Sequence, residues 1–287
     1  MKDGLIEFGY AAGWRLVRAL PLPVARRLFT AAADRAYGKN GPGTQRLRRN
    51  LQQVVPDMPD ELVRDGLRSY ARYWMEAFRL PSQTRQQFLD GFAISAEHYD
   101  WLKTAMSDGN GVVLALPHVG NWDAAAAWVV SNGWPMVTVA ERLQPEGVFQ
   151  QFVAYREKLG MEVLPLTGGQ RPPLDVLAER LQQGFAVCLL GDRDLSRSGV
   201  EVTFFGGRTK MPAGPAILAI RTGAPLFGVD LSFTDTQTVA VLRRVTPPTD
   251  GPLDVRVKQT TQMLADAYAE GIAEHPQDWH MLQKLWL

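Results

Sequence analysis

Residues 4–20 (GLIEFGYAAGWRLVRAL) set Leu5, Phe8, Ala12, Leu16 and Leu20 three or four positions apart, and Ile6, Trp14 and Val17 widen the stripe. That spacing predicts an amphipathic helix edged by aromatics and arginines. Pro21 and Pro23 end it, and a second helix is predicted over 23–37. The segment GKNGPG at 38–43 reads as a loop by its glycine and proline content. Helices follow over 44–54 and 60–79, the second carrying Tyr70, Tyr73, Trp74 and Phe78 on one broad face.

The texture changes near residue 111. VVLALP (112–117), MVTVA (136–140), MEVLPL (161–166) and FAVCLLG (185–191) are short apolar runs, separated by helical stretches at 122–132, 146–159 and 172–183. Strands alternating with helices predict crossover units and a largely parallel sheet covered on both sides. Runs at 201–205, 225–233 and 237–245 read as further strands, the last two as a hairpin around Thr234–Thr236. Residues 253–274 predict a closing helix. With no repeat, low-complexity tract or clear linker, the expectation is one α/β domain over 1–287, with a helical part at 1–90 and a core at 91–287.

Composition narrows the class. A 287-residue chain with 46% hydrophobic and 21% charged residues is globular, not disordered or fibrous. The single Cys188 excludes an intramolecular disulfide and any zinc site built on several cysteines. Within AVCLLG it reads as core rather than as a nucleophile. A net charge of +1 argues against a nucleic-acid binder. That average hides an asymmetry, because residues 1–90 hold 15 basic against 9 acidic side chains. Such a patch suits anionic lipid or a polyphosphate, and equally a solvated helix surface. The first helix likewise suits an interfacial anchor or a hairpin packed on its own domain. No apolar run approaches the ~18–20 residues of a membrane span. Glu7, Arg15 and Arg18 interrupt any secretory signal, so the expected place is the cytoplasm or its membrane surface.

The familiar G-x-S-x-G, P-loop, H-E-x-x-H and G-x-G-x-x-G arrangements are missing. Of the four histidines, His118 stands apart. It follows the strand at 112–116 and Pro117, and precedes a helix beginning near Asn121. The carboxyl end of a strand is where ligands bind in open α/β sheets, and an imidazole there suits acid–base work. Asp123 lies five residues on. The two can meet only across a bend, for which Gly120 supplies backbone freedom and Asn121 a helix cap. A carboxylate on one ring nitrogen leaves the other free to take a proton from an alcohol. A capping aspartate beside an ordinary histidine gives the same pattern.

PHVGNWDAAAAW resembles the H-x4-D block of glycerolipid-type acyltransferases, and more closely that of the bacterial lipid A biosynthesis acyltransferase family. FVAYREKLGMEVLPL (152–166) resembles that family's Arg-x3-Gly segment. GDRDLSRSGVEVTFFGGRTKMPAGPAILAIRTGAP (191–225) resembles its acidic strand end, FFG segment and small-residue helix. GDRDLSRSG and the terminal PQDWHMLQKLW look like an actinobacterial branch that acylates phosphatidylinositol mannosides. The resemblance implies a mixed, largely parallel sheet flanked by helices. It implies palmitoyl transfer from acyl-CoA, as substrate, to a mannose 6-hydroxyl of the glycolipid acceptor. Peripheral attachment to the inner leaflet is implied too, with no metal and no resident cofactor.

By motif, His118 becomes the base and Asp123 its partner, while Arg156 and Asp192 line the active centre. Asp194 and Glu201 stand near Asp192 as alternatives. Asp192 ends an apolar strand at the same sheet end as His118 and suits sugar hydroxyls, and the planar fork of Arg156 suits phosphate or a carboxylate. Arg193, Arg197, Arg208 and Lys210 are candidates for coenzyme A or headgroup phosphates. Backbone amides at 120–123 are the oxyanion candidates. Trp122, Trp128, Phe149 and Phe152 are candidates to line apolar space. Another lipid acceptor, such as lipid A or a lysophospholipid, is the rival enzymatic reading. A lipid-binding protein with an inert dyad is the rival of another class.

Overall fold

In the computed structural model, all five residues of the run Val112–Leu116 (β2) are buried. That is the signature of a strand covered on both faces. Its neighbours are β5 (Ala186–Leu190) on one side and β8 (Leu226–Phe233) on the other, both parallel to it. β3 (Met136–Ala140) and β4 (Met161–Pro165) extend the sheet beyond β5. On the far side β9 (Thr238–Val245) turns back antiparallel to β8, and the short β1 (Phe92–Ile94) pairs with it. The seven strands run in the order β1-β9-β8-β2-β5-β3-β4. This is the largely parallel sheet that the strand–helix alternation predicts, and it is mixed as the resemblance implies. The structure describes residues 13–142, 145–194 and 198–287.

Helices cover both faces. α5 (Arg85–Asp90), α6 (Ala96–Ser107), α7 (Trp122–Ser131) and α8 (Glu146–Lys158) lie on one, and α9 (Pro173–Gln182), α10 (Gly214–Thr222) and α11 (Leu253–Glu274) on the other. The run at 201–205 forms a strand, but outside the main sheet. β6 (Val200–Phe204) makes a separate hairpin with β7 (Gly207–Met211). β7 (GRTKM) has too little apolar content to read as a strand, and β1 is only three residues long.

The helical N-terminal part comprises α1 (residues 13–19), α2 (Leu22–Lys39), α3 (Pro42–Val54) and α4 (Glu61–Arg79). Leu5, Ile6, Phe8 and Ala12 of the predicted first stripe lie outside the described residues. Its remainder splits: Trp14 is buried against Phe78, Phe152 and Tyr155, whereas Leu16 is 62% exposed. Leu47 and Leu51 of α3 and Val63 and Leu67 of α4 join the same buried core as the sheet. The last residues of the chain pass through this core as well. Asn50 of α3 donates to the carbonyls of Met281 and Gln283, and Trp279 is fully buried.

Candidate active site

β2 and β5 are adjacent and in register, with Leu116 opposite Leu190. Two residues beyond those ends come His118 and Asp192, so the register carries them to the same place. Gly191 N–H donates to the Leu116 carbonyl and extends the pairing past the strands. His118 Nδ1 lies 2.5 Å from Asp192 Oδ1, and the His118 backbone N–H donates to Oδ2 at 2.9 Å. Trp279 Nε1–H donates to Oδ2 at 3.0 Å.

Asp192 is fully buried, which by itself would raise its pKa. The opposing His118 charge, the two His118 hydrogen bonds and the indole N–H outweigh burial and hold the carboxyl below its ordinary value. The His118 side chain is 27% exposed and stands edge-on to Trp122, ring centroids 5.6 Å apart. With Nδ1 facing Asp192, Nε2 is the nitrogen left for a substrate.

The expected contact between His118 and Asp123 is therefore corrected. The turn between them forms as the residues predict. Gly120 adopts φ +52°, where a Cβ would meet Leu231 at 2.8 Å, and the Asn121 side chain caps α7 through the Ala124 N–H. Asp123 lies in the first turn of that helix and faces the other way. Tyr73 Oη–H donates to its Oδ2 at 2.9 Å, and Arg156 Nε to its Oδ1 at 2.8 Å. Arg156 Nη2 reaches Oδ2 at 3.3 Å. Both carboxylate oxygens are thus occupied.

Arg156 spends its fork on Asp123 rather than on a phosphate, and its pKa is raised because that carboxylate outweighs burial. Burial, reinforced by the Asp123 charge, pushes Tyr73 well above the usual phenol range. The expectation that Asp192 holds sugar hydroxyls is corrected in the same way, since its oxygens serve His118 and Trp279. Trp279 stands in the terminal PQDWHMLQKLW segment, but nothing local to it tells that its indole reaches a carboxylate 87 residues away.

The remaining candidates divide between neighbours of this pair and residues away from it. Arg193 and Asp194 follow Asp192 directly and are half-buried, and Asp194 accepts from the Gly199 N–H. Glu201 lies on the outer face of the β6–β7 hairpin and pairs there with Arg208 at 2.7 Å, so neither is brought to His118. Arg197 lies outside the described residues. Among the oxyanion candidates, Gly120 N–H is committed to the Asp278 carbonyl at 2.9 Å. That narrows the choice to the amides at the start of α7.

Under α7 is an apolar cavity of about 240 Å³ whose lining reaches Leu116, Leu190 and Trp122 but not His118 or Asp192 themselves. Its wall includes Leu116 of β2, Leu190 of β5, and Trp122, Ala125, Ala126 and Trp128 of α7. Asp123, Glu141 and Arg156 supply its charged edge, and Phe149 and Phe152 also line it. Small side chains on α7 leave the space, and Trp128 stacked on Phe92 at 4.6 Å stands among its far residues. Cys188 lines it too, its thiol pushed up to about 12 by burial, which suits a wall and not a nucleophile.

A partly exposed imidazole held by a buried carboxylate, with an apolar cavity reaching the strand ends two residues before them, suits acyl chemistry. The sequence comparisons agree with it. The chain matches the model of the family described as bacterial lipid A biosynthesis acyltransferase over residues 2–287. It belongs to that family. It is 52% identical over 285 residues to a phosphatidylinositol mannoside acyltransferase of Mycolicibacterium smegmatis, covering 98% of this chain and 91% of the relative. It is 47% identical to two proteins of the same name from Mycobacterium tuberculosis strains, over 98% of this chain and 88% of each relative. The chain is thus an enzyme, an acyltransferase of this family. Among the described residues no helix is long and apolar enough to cross a membrane.

Proposed function

We propose that this acyltransferase moves a fatty acyl chain, palmitoyl, from acyl-CoA to the mannose 6-hydroxyl of a phosphatidylinositol mannoside. The observation that carries the chemistry is the in-register pair, with His118 Nδ1 held by buried Asp192 and Nε2 left over. The choice of acceptor rests on the relatives, whose names state it and whose identity extends along nearly the whole chain.

The acceptor hydroxyl gives its proton to His118 Nε2 as its oxygen attacks the thioester carbonyl carbon. Asp192 keeps the proton on Nδ1 and stabilises the imidazolium that forms. Amides at the start of α7 stabilise the tetrahedral oxyanion. The C–S bond then breaks, and the coenzyme A thiolate takes the proton back from the imidazolium. Products are the ester and free thiol; no covalent enzyme intermediate, metal or resident cofactor enters. The acyl chain occupies the cavity under α7, each buried methylene contributing about 0.8 kcal/mol. The Tyr73–Asp123–Arg156 cluster braces the cavity edge. Arg193 and Asp194 face the polar substrate parts.

The enzyme works at the inner leaflet as a peripheral protein. Leu16, Leu22, Val24 and Leu28 are 62%, 40%, 40% and 54% exposed on α1 and α2, among the arginines of the basic N-terminal part.

The test uses purified protein, radiolabelled palmitoyl-CoA and a panel of a phosphatidylinositol mannoside, a lipid A precursor and a lysophospholipid. Label is expected on the mannoside with wild type and on none with His118→Ala. Label on another acceptor alone, or near wild-type turnover in His118→Ala, overturns the proposal.

A further inference from the structure

Among the described residues Asp192 accepts three hydrogen bonds, and two of them come from His118 itself. Trp279 supplies the third, so it is the side chain that holds the carboxylate independently of the base it serves. The indole cannot drift. It is fully buried, with Phe204 edge-on at 5.9 Å and Phe205 at 6.2 Å.

The same short segment also grips the His118 side of the pair. His280 N–H donates to the His118 carbonyl at 2.7 Å, Gly120 N–H to the Asp278 carbonyl at 2.9 Å, and Val119 bridges Trp279 as an antiparallel strand would. Residues 278–280 are anchored in turn. Asp278 accepts from Ser69 Oγ–H at 2.6 Å and from Phe233 N–H at 2.9 Å. One strand-like segment thus touches both members of the dyad, one through its backbone and the other through a side chain.

We propose that Trp279 is a positioning residue for the transfer reaction: its indole N–H orients the Asp192 carboxylate toward His118 Nδ1 and sets the proton affinity of the pair. This rests on the reading of His118 as the base. An N–H donated to the carboxylate withdraws negative charge from it, so the carboxylate holds the imidazole proton less tightly. Removing the donor makes the carboxylate more basic and raises the apparent pKa of the coupled pair.

Of the titratable groups around the pair, Arg193 and Asp194 follow Asp192 directly, burial raises Asp278 above the ordinary carboxylate value, and two further buried groups stay neutral through the working range. Burial pushes the Tyr268 phenol of α11, which lies against Gly191, well up. Burial, followed by the His118 charge, pushes His280 down to about 3.

Trp279→Phe keeps the apolar ring and removes the donor. In the full chain, with palmitoyl-CoA and a phosphatidylinositol mannoside, kcat is expected to fall about 10-fold with KM within about twofold. The acid limb of the pH–rate profile is expected to move up by about half a unit. A folded variant with unchanged kcat overturns the proposal. So does a fall in kcat with an unmoved acid limb, which a packing role alone would give. If the phenylalanine variant does not fold, benzothienylalanine at 279, which keeps the indole shape without the N–H, takes its place under the same criteria. His118→Ala run in parallel separates the two ideas, because transfer by that variant overturns the proposed function instead. NMR titration of the His118 ring then decides for Trp279. An upward shift on losing the indole N–H supports it, and an unmoved ring overturns it.

Discussion

Asp192→Asn and Asp123→Asn remove the same charge from two carboxylates near His118, and the structure gives them opposite consequences. In Asp192→Asn the amide keeps the shape of the carboxylate and still accepts from Trp279. It offers a neutral group to His118, however, so the tautomer with the proton on Nδ1 loses its charged acceptor. At the observed 2.5 Å, with an effective dielectric of about 20, the attraction between imidazolium and carboxylate is about 7 kcal/mol before desolvation. Part of that is returned because a neutral amide costs less to bury. A loss of about 10^3–10^4-fold in kcat is therefore expected, the scale known for triads that lose their carboxylate. The fold should persist.

Asp123→Asn instead strands a guanidinium that is 18% exposed. An unpaired buried charge costs about 3–5 kcal/mol, so this variant should lose stability first. The assay pairs initial-rate kinetics with urea unfolding of each variant at one pH. Near wild-type kcat in Asp192→Asn would refute the reasoning. So would an Asp123→Asn variant of undiminished stability that is inactive with an unmoved KM, since Asp123 would then be the partner that the H-x4-D spacing suggests.

Four further outcomes follow from the same geometry. His280 is buried with its pKa pushed down to about 3, so the unfolded chain takes up its proton below about pH 6.5 while the folded chain does not. Stability is fully present above that range and falls with falling pH, by at most about 1.4 kcal/mol per unit. Denaturant titrations at about pH 5 and 6.5 should show a shallower dependence in His280→Phe, and equal slopes would contradict the burial. Gly120→Ala places a Cβ at 2.8 Å from Leu231 on a backbone at φ +52°, costing about 1–3 kcal/mol. It should lower kcat by displacing His118, as initial rates would show. Ala126→Phe fills the cavity under α7. It should shift preference toward shorter acyl-CoA donors, each excluded methylene forfeiting about 0.8 kcal/mol, as kcat/KM across a chain-length series would show. Leu16→Asp with Leu28→Asp should weaken co-sedimentation with anionic vesicles, and unchanged binding would place the membrane contact elsewhere.

Much of this protein is written locally. Alternating apolar runs and helical stretches specify the parallel core, because a strand buried on both faces must be apolar throughout, as Val112–Leu116 is. The turn after β2 is equally local, since Gly120 is the residue that tolerates the left-handed backbone and Asn121 the one that caps α7. His118 is legible as a base for the same reason: a polar residue at the carboxyl end of a buried strand has an open crevice to face.

Its partner is not legible, because the neighbour of β2 is a matter of strand order. β5 is fifth in the chain but inserts beside β2, and only that adjacency, with Leu116 opposite Leu190, brings Asp192 to His118. Asp123 is close to His118 in sequence, yet the first turn of α7 points it at Tyr73 and Arg156. Trp279 arrives from far along the chain, held by bonds of its segment with α3, α4 and the turn before α7. Sequence spacing governs which residues share a turn. Which carboxylate faces the imidazole depends on sheet order and register, and those follow from how the whole core packs.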